Sequence, residues 1–177
     1  EDDGCIHHSC TLATQTGRNA HRGPNLGQVV SAPWARELFV PHPGHVMVGA
    51  DLEGLELRCL GHYLSRFDEG AFAEVVLNGD IHQQNADRVG CTRKEVKTIT
   101  YAFIYGAGDV KLGHSLSPEL SDAQKKQLGG ELRRKFLDAI PGLEPLIDAG
   151  KQRVRSSGRI IGLARRPIFC KAEHASL

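Results

Sequence analysis

The 177-residue sequence predicts an α+β fold that is mostly helical. Three observations carry that prediction. Thr92-x-x-Glu95 and Ser121-x-x-Gln124 are capping boxes, which mark helix starts because each pairs orphan backbone donors with side-chain acceptors. Leu57, Leu60 and Leu64 recur at helical spacing and define an apolar face. The apolar runs at 45–50, 159–163 and 167–171 are too short for helices and read as strands.

Along the chain, residues 1–36 are loop-rich, with Thr16-Gly17-Arg18 and Pro24-Asn25-Leu26 as turn-forming clusters. His45–Ala50 reads as a short buried strand that ends at Asp51. A helix follows over Leu55–Ser65, then short helices over 71–78 and 82–89, punctuated by Gly79 and Gly90. The first capping box opens a helix over 92–105 with Val96, Ile99, Phe103 and Ile104 on its buried face. Gly106 and Gly108 offer its stop. The second box starts a long charged helix to Ala139, and Pro141 divides it from another over 142–155. Ser156-Ser157-Gly158 is a turn leading to strands at Arg159–Leu163 and Pro167–Lys171.

Composition narrows the class. A hydrophobic content of 40% supports a packed core, and no apolar run reaches membrane-spanning length. The five cysteines are odd in number and contain no C-x-x-C pair, which argues against a disulfide framework and for a reducing cytoplasm. Cys5, His7, His8 and Cys10 match no standard zinc spacing. The net charge is only +1, yet the charge is segregated. Ala50–Asp87 holds eight acids against Arg58 and Arg66, whereas Lys151–Lys171 holds seven basic residues and no acid. Thr11–Arg36 adds three arginines without an acid. An acidic middle between basic ends suits a metal site flanked by phosphate-contacting surface.

Two segments carry candidate chemistry. On a helix, Arg93, Lys97 and Tyr101 fall at i, i+4 and i+8 and share one stripe. At the helical rise that stripe is about 12 Å long. A nucleoside triphosphate has the same layout, an anionic chain at one end and a flat base at the other. The same spacing also serves an ordinary amphipathic helix with a solvated cationic edge. Asp51 stands where a strand gives way to a helix. It either presents a carboxylate to a hard cation such as magnesium or caps the helix that follows.

Together these residues resemble family A DNA polymerases, the replicative enzymes of short-tailed phages more than bacterial DNA polymerase I. Asp51-Leu-Glu-Gly-Leu-Glu-Leu-Arg58, followed by His62, resembles motif A of that family. Arg93-x-x-x-Lys97-x-x-x-Tyr101, continuing to Tyr105-Gly106, resembles motif B on the O-helix of the fingers. Asn78-Gly-Asp-Ile-His82 lies between them, and Thr16-Gly-Arg18 with Pro24-Asn25-Leu26 resembles a primer–template segment. The resemblance implies fingers helices with flanking palm strands. It assigns 1–66 to partial palm with the primer–template segment and motif A, 67–157 to fingers, and 158–177 to a return toward the palm.

The resemblance also implies roles. Asp51 and the backbone carbonyl of Leu52 hold two magnesium ions in the complete enzyme. Arg93, Lys97 and His82 clamp the triphosphate of an incoming dNTP, and Lys97 assists proton transfer to the leaving pyrophosphate. Tyr101 packs on the nascent base pair, and tyrosine there implies weak rejection of dideoxynucleotides. Glu56 closes the space beside the sugar 2′ carbon, which selects deoxyribose and argues against a single-subunit RNA polymerase. Arg18, Thr16, Asn25, Tyr105 and Gly106 meet the primer–template DNA.

Departures from the family pattern sharpen these expectations. Glu53 stands where a small residue is usual, on the same side of a strand as Asp51. Ala102 replaces a frequent glycine. The sequence contains no His-Asp pair, the family's source of the second catalytic aspartate. The expectation is therefore a fingers-and-palm portion of a longer or split polymerase, inactive alone, in the cytoplasm of a host cell and not in a membrane. Its expected partners are the remaining palm and thumb polypeptide and a processivity factor. The alternative is a nucleic-acid-binding module derived from a polymerase that has lost the chemistry; Asp51 and Glu56, which binding alone does not need, count against it.

Overall fold

The computed structural model describes residues 3–14 and 17–171. The chain divides into two compact units, Glu1–Leu52 and Glu53–Leu177. In the first unit, strands β1 (Ser9–Thr11) and β2 (Ala20–Arg22) pair antiparallel, with Cys10 opposite His21. Thr14 closes the connection by donating its hydroxyl to the Arg18 carbonyl at 2.7 Å. Asn25 caps a single 3₁₀ turn at Leu26–Gln28, its side chain accepting from the Gly27 N–H at 3.1 Å. A short helix α1 (Pro33–Arg36) follows, with proline at its first position, where a missing N–H costs nothing.

His45–Ala50 is not the buried strand that its apolar run predicts. The segment has no regular secondary structure, and Val46, Met47 and Val48 are 83%, 62% and 85% exposed. An apolar run reports that a segment suits cover, but a strand also needs neighbours for its backbone donors and acceptors. Among the described residues, ladders form only between β1 and β2 and between β3 and β4.

The second unit is a helical assembly: α2 (Leu55–Asp68), α3 (Ala71–Asn78), α4 (Ile81–Val89), α5 (Arg93–Ile104), α6 (Asp109–Leu116), α7 (Asp122–Ala139) and α8 (Leu143–Ser157). Helix α8 runs through the serines expected to form a turn and stops at Gly158, whose φ of 66° suits a left-handed helix end. A hairpin of β3 (Arg159–Ile161) and β4 (Pro167–Phe169) follows, with Ile160 opposite Ile168. The fold class is thus mostly helical with small antiparallel sheets, as the sequence predicts.

Each predicted cap forms. Thr92 Oγ1 accepts from the Glu95 N–H at 3.3 Å while Glu95 accepts from the Thr92 N–H at 2.8 Å. Ser121 and Gln124 repeat the arrangement at α7. The core gathers Leu57 and Leu64 of α2, Ile81, Ala86 and Val89 of α4, Val96, Ile99 and Phe103 of α5, and Leu132 and Phe136 of α7. Thr100 is also buried, and its hydroxyl is satisfied by the Val96 carbonyl at 2.7 Å. Helices α4 and α7 tie their ends reciprocally. Arg88 Nη1 donates to the Ala139 carbonyl at 2.6 Å, and Lys135 Nζ donates to the Val89 carbonyl at 3.4 Å. Both cations meet the negative end of a helix.

Helix α6 is absent from the sequence prediction, in which Gly106 and Gly108 mark only the stop of the preceding helix. Within α6, Gly113 has a packing reason. A Cβ there would collide with the backbone of Lys125 on α7, and one at Gly129 of α7 would collide with the Asp109 carbonyl of α6. The two helices therefore touch backbone to backbone, and the contact tolerates only hydrogen at these positions. Gly129→Ala should lower stability by about 1–3 kcal/mol through overpacking. Gly130→Ala, whose Cβ would meet only Asp109 Oδ2 at 4.0 Å, should be neutral or stabilising. Urea denaturation of both variants tests the contrast, and equal midpoints would refute the close approach.

Candidate functional site

Helix α5 presents the predicted stripe. Its capping box sets the first turn, and burial of Val96, Ile99, Thr100 and Phe103 turns Arg93 and Lys97 outward to solvent. Phe103 packs on Phe136 with ring centroids 4.8 Å apart. Arg133 covers the other side, its guanidinium carbon 5.4 Å from the Phe103 ring centroid. Arg133 is itself held by Asp109 Oδ1 at 2.7 Å and the Ala107 carbonyl at 2.6 Å.

The neighbouring helix ends bring further predicted residues to this face. His82 lies in the first turn of α4, half-buried, with its ring centroid 6.2 Å from that of Tyr101. Glu56 lies in the first turn of α2 and accepts a hydrogen bond from the Tyr105 hydroxyl at 2.9 Å. Glu56, Tyr101 and Tyr105 form one cluster. Burial first, then the Glu56 charge and the Tyr105 hydroxyl, raises the Tyr101 phenol above its ordinary value, so it stays neutral. Lys97 makes no hydrogen bond or ion pair among the described residues.

His82 titrates low for a physical reason. Burial disfavours its charged form, and the Arg93 and Lys97 cations add to that, against a smaller opposing effect of Asp80. Its Nδ1 is buried with no partner among the described residues, so a proton there would be left unsatisfied. The ring is therefore neutral near pH 7. Because the folded state resists protonation, the stability it contributes is complete above about 6.5 and is lost as pH falls below that value.

One partner of this face was not predicted. Asp80 Oδ2 accepts from Arg93 Nε at 2.8 Å. The Arg93 guanidinium, then the N–H groups at the start of α4, hold the Asp80 carboxyl below the usual range. The signal in the sequence was an aspartate directly before Ile-His, the favoured type at a helix N-cap.

The remaining predicted residues lie elsewhere. Asp51 and Leu52 are exposed at the end of the first unit, beyond the segment expected as a strand. Asp51 is not a cap of α2, whose N-cap is Gly54 with φ of 60° and no side-chain acceptor. Glu53 lies in a turn, not on a strand beside Asp51, and its carbonyl accepts from Arg58 Nε at 2.8 Å. Asn25 spends its side-chain oxygen on the 3₁₀ turn. Arg18 offers its carbonyl to Thr14, and Thr16 lies outside the described residues. Gly106 follows α5 with φ of 71°, its N–H donating to the Phe103 carbonyl at 2.9 Å. No group of three or more histidine, cysteine or acidic residues gathers to hold a metal among the described residues. Nor is any described helix long and apolar enough to cross a membrane.

Fold and face together define a helical unit that displays two cations and an aromatic ring along one helix. The model of DNA polymerase family A matches residues 1–176, and the chain belongs to that family. It is 35% identical over 205 residues to the DNA-directed DNA polymerase of Escherichia phage T7, covering 99% of this chain and 28% of that protein. The enzyme of Enterobacteria phage T3 matches equally. DNA polymerase theta of Caenorhabditis elegans is 28% identical over 174 residues, covering 96% of this chain and 10% of that protein. The chain thus spans about a quarter of the phage relatives' length. In fold it is similar to the POL domain of Pol1 from M. smegmatis, solved in complex with DNA primer-template and dNTP. The TM-score is 0.73 at 21% identity, covering 99% of this chain and 34% of that one.

The electrostatics of His82 yield a direct test. Its ring resonance should titrate below 6.5 and move upward in Arg93→Ala, yet stay under the unperturbed value because burial remains. An Arg93→Ala titration curve that coincides with the unsubstituted one would remove the cation's contribution.

Proposed function

We propose that this chain supplies the nucleotide-binding fingers and the first metal-holding carboxylate for template-directed DNA synthesis. The observation that carries the proposal is the grouping of His82, Arg93, Lys97, Tyr101 and Glu56 about one face of α5 in a family A polymerase chain. Residues 67–157 act as fingers, 1–66 as partial palm, and 158–177 as the return to the palm. The activity of the phage relatives and the DNA and dNTP of the solved neighbour support this reading.

The side chains suit the roles. Arg93 and Lys97 meet the triphosphate with charge-assisted hydrogen bonds, and Lys97 at the free middle of the stripe protonates the leaving pyrophosphate. His82 joins them as a neutral donor that gains a proton's worth of charge more easily once phosphate arrives. Tyr101 stacks on the base, which is sequence-tolerant because every base offers a π-face. Glu56, fixed by Tyr105, fills the space beside the sugar's 2′ carbon and turns away ribonucleotides by clash. Arg18, Thr16, Asn25, Tyr105 and Gly106 contact the primer–template.

Asp51 and the Leu52 carbonyl offer two hard oxygen donors, which suits magnesium because that ion is commonly held by one or two carboxylates, substrate phosphates and water. When bound, magnesium activates the primer 3′-hydroxyl and neutralises charge developing on the phosphate. A second carboxylate comes from a further segment, on the same polypeptide or on a partner carrying the rest of palm and thumb. A processivity factor belongs to the full assembly, which works in the host cytoplasm.

Primer extension by the polymerase polypeptide carrying this sequence tests the assignments. Asp51→Ala should abolish extension, a loss of about a thousandfold or more, at every magnesium concentration. Retention of most activity would refute its metal role. Glu56→Ala should admit ribonucleotides while leaving dNTP use within about tenfold. Unaltered sugar selection would exclude Glu56 as the gate.

A further inference from the structure

Asp80 stands where two helices with candidate functional side chains begin, and it grips both. Its Oδ1 accepts from the backbone N–H of His82 at 3.1 Å and of Gln83 at 3.0 Å, which caps α4. Its Oδ2 accepts from Arg93 Nε at 2.8 Å, at the first residue of α5. The nucleotide-binding proposal uses His82 and Arg93 and gives Asp80 no part.

We propose that Asp80 is a positioning residue for nucleotide binding. It holds Arg93 side-on through Nε, so that the guanidinium's terminal nitrogens face the triphosphate at a set spacing from His82. This inference rests on the reading of α5 as a triphosphate site. Among the described residues, the Arg93 Nη1 and Nη2 atoms carry no hydrogen bond, whereas Nε is engaged. A phosphate can therefore approach the Nη edge without displacing the carboxylate. Arginine has many rotamers, and holding one before the ligand arrives reduces the entropy lost on binding.

One effect opposes this. The Asp80 charge repels phosphate and competes for the guanidinium. Two features weaken that repulsion. The carboxylate is already matched by one guanidinium and by two N–H groups at a helix N-terminus. The Arg93 and Asp80 side chains are 53% and 46% exposed, so the high dielectric of the surrounding water attenuates the repulsion. Orientation outweighs repulsion, which gives the effect a sign: removing the Asp80 charge weakens nucleotide binding.

Asp80→Asn separates the two jobs. Asparagine caps a helix as well as aspartate but lacks the charge that holds Arg93. Magnesium with dATP is titrated onto the primer–template complex of the polymerase polypeptide carrying this sequence while the His82 and Arg93 side-chain resonances are followed. The Kd should rise about three- to tenfold in Asp80→Asn, through lost preorganisation. Asp80→Ser, a second uncharged cap, should repeat the result, and thermal melting should stay close to that of the unsubstituted chain. In an Arg93→Ala background the Asp80→Asn change should have no further effect. Equal or tighter binding in Asp80→Asn, with binding still weakened in Arg93→Ala, overturns the positioning role alone. No saturable shift in the unsubstituted chain overturns the nucleotide-site proposal itself.

Discussion

The packing of Phe103 on Phe136 decides which way α5 faces, and the candidate site depends on it. Both rings are buried, and Arg133 closes the far side of Phe103 while bonding to Asp109 and Ala107. A helix has one rotational freedom once its axis is placed. Burying a residue at one angle commits the side chains on the opposite stripe to water. Phe103, Ile99 and Val96 use the inner stripe, so Arg93 and Lys97 are left outside. Their exposure is a consequence of core packing. Ala107 and Asp109 also begin the turn into α6, so one arginine links the end of α5 to the approach of α6 on α7. The backbone contact at Gly113 and Gly129 then holds α7, and with it Phe136, at a fixed distance.

Helix N-termini can bind anions through free backbone N–H groups. Here the caps consume much of that capacity. Asp80 takes the N–H of His82 and Gln83, and Thr92 takes the N–H of Glu95. Any anion that meets this face is therefore left mainly to side chains. That division has a physical benefit. The caps define where α4 and α5 start, and a defined start sets the angle at which His82 and Arg93 leave their helices. Charge on flexible side chains would cost ordering entropy on its own, whereas charge on a capped first turn costs less.

The helical part of the fold was legible because its signals are local. Capping boxes span four residues and apolar stripes repeat within two turns, so α5 and α7 could be read from short windows. The elements that were missed depend on distant partners. Gly113 has a purpose only once the backbone of Lys125 lies against it. The β1–β2 hairpin has strands of three residues, too short for a period-two pattern. Within the candidate site the same rule holds. Arg93, Lys97 and Tyr101 lie on one helix and were found by spacing. Tyr105 was assigned to the primer–template, but its hydroxyl bonds to Glu56, 49 positions away. Asp80 does two jobs at once, and only the cap is local enough for a sequence to announce.

Asp51 shows the limit of the same logic from the other side. The run His45–Ala50 reads as a strand because hydrophobic residues are also the ones that favour strands. Hydrophobicity, however, says only that a segment is suited to cover; the ladder that makes it a strand is supplied by other backbones. Arg93 is anchored by its own helix, its own cap and an ion pair thirteen residues away. Asp51 lies outside regular structure and has no comparable local device. A metal-holding carboxylate must be placed to within a fraction of an ångström, which demands rigid support. His82 and Arg93 carry such support at the starts of their own helices. Asp51, at the end of an apolar segment, has no such device, so its placement has to come from groups outside its own stretch of sequence.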